Sequence, residues 1–163
     1  MASLTTIATP HHGAEIADLL AEREFIYLEP VASALRALGE LYGDRNPDLY
    51  AVLNQLTSKE MADFNLEVVM DERVYYQSIY SVMNRSSDDV LFRFTYLYIY
   101  FISGANDGLV SERSAIWGNN YRRITDRGIS HAQIVDLSKR RVNGVDVPSL
   151  YIDIVRDLAA KGF

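Results

Sequence analysis

The stretch Gly104-Ala105-Asn106-Asp107-Gly108-Leu109-Val110-Ser111 constrains this chain more than any other. It ends the apolar run that begins at Val90, and Gly104 is the kind of residue that closes a helix. Asn-Asp-Gly is a tight-turn sequence, with the glycine supplying a backbone conformation that other residues resist. The turn therefore fixes the Asp107 carboxylate at the edge of a core. Twenty-four residues further on, Ile129-Ser130-His131 places an imidazole just before another element.

The surrounding sequence sets the frame for those two groups. A length of 163 residues suits one domain over 1–163 with a sizeable core and is short for two. A formal net charge of -6 argues against a nucleic-acid binder, because that affinity rests on cations neutralising phosphates. The absence of cysteine excludes a disulfide framework and a thiolate metal site. The start lacks the basic and apolar segments of a signal peptide. It runs almost at once into Leu4-Thr5-Thr6-Ile7-Ala8, which reads as a buried strand, so the chain is expected to begin inside a larger fold. The run from Val90 to Ile102 is interrupted by Arg93 and is shorter than the roughly 20 residues that span a bilayer, so no transmembrane segment is expected.

Taken in order, Leu4 to Ala8 is β-branched and apolar, as for a strand covered on both faces. Thr9-Pro10-His11-His12-Gly13 ends it. Ile16, Leu19 and Leu20 then mark one helix, and Val31, Leu35, Leu38 and Leu41 a second that stops at Gly43. Asn46-Pro47 reads as an N-cap with proline behind it, opening a helix with the stripe Tyr50, Leu53 and Leu56. Thr57-Ser58-Lys59-Glu60 reads as a capping box for a helix through Met61 and Phe64. Val74 to Met83 is a strand by composition. Val90 to Ser103 has strand-like content but helical length, and length favours a helix. Ser111 to Trp117 suits a helical turn, Tyr121 to Ile124 a short strand, and Val147-Pro148 the start of a last helix with Leu150, Ile154, Val155 and Leu158 inward. Strands alternating with helices predict an α/β protein with a parallel sheet.

With these residues placed, the chain resembles the bacterial triacylglycerol lipases of the α/β-hydrolase superfamily. The resemblance rests on Leu4 through Gly13, on Leu56-Thr57 through Phe64-Asn65 with the tyrosine-rich strand behind it, on Asn106-Asp107-Gly108-Leu109-Val110, and on His131. An acid followed by a histidine is the order of the last two members of a Ser-Asp-His triad in that superfamily. The resemblance implies that Asp107 is the triad acid and His131 the general base. It also implies that the helices from about 14 to 66 form a lid-like cover over an acyl pocket, and that the chain supplies the last strands of a partial α/β-hydrolase sheet. The Gly-x-Ser-x-Gly elbow of the family is missing, so the nucleophile, the oxyanion loop and the first strands are expected upstream of Met1. The expected function is the C-terminal portion of a lipase or carboxylic-ester hydrolase, inactive alone. Extracellular residence is implied by the family only.

Other readings stay beside this one. Ser111 and Ser130 are the serines nearest the acid and the base, and either would make the chain a self-sufficient esterase. A lipase relative that binds a lipid or a partner without turning it over is a third reading. No cofactor is expected. Many relatives hold a structural calcium through an aspartate two residues after the histidine, and here Gln133 stands there, with Asp136 wrongly spaced. Adjacent His11 and His12 are poorly placed to chelate one metal together, and they are better suited to shaping their turn. The expected partners are an acyl ester or lipid, possible contact with a lipid surface, and either a second copy or an N-terminal half. The last expectation follows from the unpaired edge that a half-sheet would leave on Leu4–Ala8.

Overall fold

A computed structural model of the chain describes residues 2–21, 48–136 and 141–163. The predicted helix with Val31, Leu35, Leu38 and Leu41, its stop at Gly43, and the pair Asn46-Pro47 lie outside the described residues, as do Lys139 and Arg140. The chain separates into two compact units, one formed by Met1–His12 with Val69–Phe163 and the other by Gly13–Val68.

The first unit is built on a parallel sheet of three strands in the order β1-β2-β3, with β1 at Ser3–Ile7, β2 at Tyr75–Tyr80 and β3 at Tyr121–Arg123. Ser3 pairs with Tyr75 and Ile7 with Ile79, and Ser78 pairs with Tyr121 on the other side. The middle strand is the most enclosed: Gln77, Ser78, Ile79 and Tyr80 are buried. β1 is half-buried along its whole length rather than covered on both faces, as befits an edge strand with a neighbour on one side only among the described residues.

One face of the sheet carries the largest core. Ala8, Ile79 and Ile124 pack with Ile129, Ile134, Val145, Val147 and Ile154, and Leu150, Tyr151 and Leu158 close over them. The last five of these side chains in sequence belong to α7, Val147–Ala160, and recur at the helical spacing 147, 150/151, 154, 158. Val155, expected to face inward, is 64% exposed, because it stands about a quarter of a turn off the centre of that stripe.

The apolar run of the sequence is a helix, α4, Arg93–Ser103. It turns Thr95, Tyr96 and Ile99 inward, and Gly104 closes it with φ of 82° and an N–H donated to the Tyr100 carbonyl. Two very short helices follow, α5 at Glu112–Ala115 and α6 at His131–Ile134. The second begins on His131 itself, so the imidazole expected just before an element is carried by that element's first residue.

The second unit holds α1 at Glu15–Ala21, α2 at Leu49–Gln55 and α3 at Ser58–Glu67, with α1 against both of the others. Gly13 takes φ of 86° and its Cα lies so close to the Ser58 backbone that no side chain fits there. The Asp18 carboxylate accepts the Ser58 N–H at 2.7 Å and the Ser58 hydroxyl at 2.6 Å. The cap of α2 is Asp48, which accepts the Ala51 N–H at 3.0 Å. Thr57 caps α3 by accepting the Glu60 N–H, while the Glu60 carboxylate is held by Lys59. No residue of α3 is buried, and Phe64 and Leu66 on it are exposed.

Candidate active site

The turn that opened the sequence argument is held from within. Asn106 is fully buried; its amide donates to the carbonyls of Tyr96 and Gly104, and its Oδ1 accepts the Gly108 N–H at 2.9 Å. Gly108 has φ of 95°, and a Cβ there would meet the Phe92 Cβ at 2.5 Å. These contacts leave Asp107 1% exposed. Its Oδ1 accepts the N–H groups of Leu109 at 3.0 Å and Val110 at 2.8 Å. Two backbone donors on one oxygen lock the carboxylate and leave Oδ2 to point elsewhere.

Oδ2 meets His131. The distance to Nδ1 is 2.9 Å, and the His131 N–H donates to the Asp107 carbonyl, also at 2.9 Å. Chain folding thus brings together the two residues that the sequence singled out. With Nδ1 committed to Asp107, the nitrogen on the far side of the ring, Nε2, is the one left for chemistry. Burial pulls the His131 pKa down, and the hydrogen bond and charge of Asp107 outweigh that, so it lies above the ordinary histidine value. A third group, the buried Ser81 hydroxyl, lies 3.4 Å from Asp107 Oδ2 as a long contact. Sequence gave no signal for it, since it depends on how β2 ends.

The two serines weighed as nucleophiles are both fully buried. Ser111 starts α5, and its Oγ has no hydrogen-bond partner among the described residues. Ser130 is the N-cap of α6. Its Oγ accepts the Gln133 N–H at 3.3 Å and donates to Asp89 Oδ2 at 2.5 Å. Gln133 completes a capping box, with Oε1 taking the Ser130 N–H at 2.9 Å and Nε2 donating to the Asp88 carbonyl at 3.2 Å. Both ends of its amide are therefore engaged by protein groups. The Ser-x-x-Gln spacing was a readable signal for this cap.

The other histidines shape the end of β1. His11 is buried, stacks on Trp117 with ring centroids 4.7 Å apart, and lies 2.9 Å from the Thr6 hydroxyl through Nε2. The His12 N–H donates to Ser114 Oγ. Burial, with the charge of His12 added, lowers the His11 pKa to about 4. Between that value and the ordinary 6.5 the unfolded chain binds more protons than the folded one, so stability falls on acidification through this window. His11→Phe keeps the ring stack and removes the titration. Urea midpoints measured from pH 6.5 down to 4 are expected to fall less steeply in that variant than in the wild type.

No family model matches the chain. It is 30% identical over 176 residues to triacylglycerol lipase 2 of Saccharomyces cerevisiae, an alignment covering 99% of this chain and 49% of that protein. Among solved structures it superposes on a metagenomic carboxyl esterase with a TM-score of 0.71 at 19% identity, covering 99% of this chain and 48% of the other. It superposes on the Staphylococcus hyicus lipase with a TM-score of 0.63 at 16% identity, covering 96% and 56%. The chain spans about half the length of the proteins it matches. That share agrees with the expected half-sheet, and the parallel strands with their helices agree with the expected fold class. The chain is a relative of the lipases and esterases and carries a partial α/β-hydrolase fold.

Proposed function

We propose that this chain supplies the acid and the general base of a serine carboxylic-ester hydrolase acting on acyl esters or lipids, with the nucleophile contributed by an upstream half. The observation that carries this reading is the 2.9 Å contact between Asp107 Oδ2 and His131 Nδ1, with Asp107 Oδ1 pinned by two backbone N–H groups. In that role Asp107 fixes the tautomer with the proton on Nδ1, so the lone pair of Nε2 faces outward. Nε2 takes the proton of the serine hydroxyl as its oxygen bonds to the ester carbon. It returns the proton to the alkoxide as the bond to the leaving alcohol breaks. A water then repeats the sequence, and the acid is released with the serine restored. The Asp107 carboxylate offsets the charge on the imidazolium.

The unit Gly13–Val68 is proposed as a lid-like helical cover within one hydrolase domain, a role supported by the exposed Phe64, Leu66 and Val68. The open side of β1 is proposed as the edge that receives a strand of the upstream half, or of a second copy. An extracellular setting belongs to the same proposal and rests on the lipase relatives alone.

A serine-directed fluorophosphonate tests where the nucleophile is. The chain alone is expected to stay unlabelled, because Ser111 and Ser130 are buried and Ser130 Oγ is spent on Asp89. A label that disappears in Ser111→Ala would instead make the chain a complete catalyst. The reading as a binder without turnover is favoured by saturable uptake of a fatty acyl ligand that persists when the upstream half is added and no hydrolysis appears.

A further inference from the structure

His131 is held by its own hydrogen bonds to Asp107 and also by the residues on either side of it in the cap of α6. Ser130 is fully buried, and its hydroxyl has one proton to give. That proton goes to Asp89 Oδ2 at 2.5 Å, a charge-assisted bond of the short, strong kind. Donation in that direction turns the oxygen lone pairs toward the Gln133 N–H, which is what a cap requires. The neighbouring Asp88 takes the Gln133 amide on its carbonyl.

Asp88 and Asp89 are themselves anchored. The Asp88 carboxylate accepts the N–H groups of Asn84 at 2.8 Å and Arg85 at 3.1 Å and the Arg85 Nε at 3.1 Å, and its side chain is 4% exposed. Asp89 Oδ1 accepts the Leu91 N–H at 2.9 Å. Gly128 lies so close to the Asp88 carboxylate that a side chain there would collide with it. The loop from Asn84 to Asp89 is thus a rigid bracket, and it grips residues 130 and 133 around the histidine.

A helix as short as His131–Ile134 has little stability of its own. Its first turn takes its position from the bracket, and the direction of the His131 ring follows. We propose that Asp89, acting through Ser130, is a positioning residue that sets the His131 ring against Asp107. This rests on the reading of His131 as the base, and the test separates the two.

The test uses the whole chain and needs no activity. Imidazole nuclear magnetic resonance reports the proton on His131 Nδ1 and the titration of the ring. In the wild type a downfield Nδ1–H resonance is expected, with the ring titrating above the ordinary histidine value. Asp107→Asn removes both. Asp89→Asn and Ser130→Ala are expected to broaden or abolish the resonance and return the titration toward the ordinary value while the remaining amide spectrum stays folded. Amide exchange at Gln133 is expected to quicken about fivefold in Ser130→Ala, as for loss of an ordinary cap. Ser130→Thr keeps the hydroxyl and restores the wild-type signals. A folded Asp89→Asn and a folded Ser130→Ala that both leave resonance and titration unchanged overturn the proposal. Should Ser130→Ala fail to fold, an unchanged resonance in folded Asp89→Asn overturns it alone. A wild type with no such resonance and an ordinary titration overturns the acid–base reading itself, and this proposal with it.

Discussion

On the proposed function, with an upstream half added to supply the serine, Asp107→Asn is expected to lower kcat for ester hydrolysis by roughly four orders of magnitude, with little change in KM. The reasoning starts from the two oxygens of Asp107. Oδ1 accepts two backbone N–H groups, and Oδ2 lies against His131 Nδ1. An amide placed in that cavity must put its carbonyl oxygen on one side and its NH2 on the other. The backbone donors on the Oδ1 side demand the oxygen, so the NH2 faces Nδ1. An NH2 there can only donate, so Nδ1 must carry the lone pair and the proton moves to Nε2. That is the wrong tautomer for taking a proton from a serine. The variant keeps its shape and loses its base. His131→Ala removes the base outright and is expected to cost at least as much. Equal kcat values for Asp107→Asn and the wild type, measured at saturating ester, would remove Asp107 from the mechanism.

The second large effect is on stability. Gly108→Ala is expected to cost about 2–5 kcal/mol, the sum of about 1–2 for a left-handed backbone and about 1–3 for overpacking. Both causes are present at this position: φ is 95°, and the new Cβ would meet the Phe92 Cβ at 2.5 Å. Gly104→Ala is the control that separates them. Gly104 has φ of 82° but nothing within 4 Å of the position a Cβ would take, so it pays for the backbone alone. Thermal melts are expected to fall on the order of 10 °C for Gly108→Ala and by roughly half that or less for Gly104→Ala. Equal shifts for the two would mean that Phe92 moves aside and that the turn is less tightly packed than the structure has it.

The site was legible in sequence where short-range chemistry decided it. Asn-Asp-Gly named its own turn, and Gly104 named the end of α4, because both depend on backbone conformations that few residues adopt. His131 and Asp107 were singled out as types in a known chain order, but their 2.9 Å contact is a product of folding across 24 residues. Ser130 was weighed as a spare nucleophile when its spacing to Gln133 spelled a cap. The bracket of Asp88 and Asp89 had no local signature, since its partners lie more than 40 residues away. Val155 looked like core because it is apolar, and the exact phase of α7 put it outside.

The most direct test of the central claim is hydrolysis of a short and a long p-nitrophenyl ester by the purified chain, alone and mixed with a separately made upstream half bearing the elbow serine. His131→Ala is run beside it. The account predicts background rates for the chain alone and activity on mixing, with that activity lost when the mixed chain carries His131→Ala. Turnover by the unmixed chain that disappears in His131→Ala would contradict it, since the nucleophile would then lie within these 163 residues.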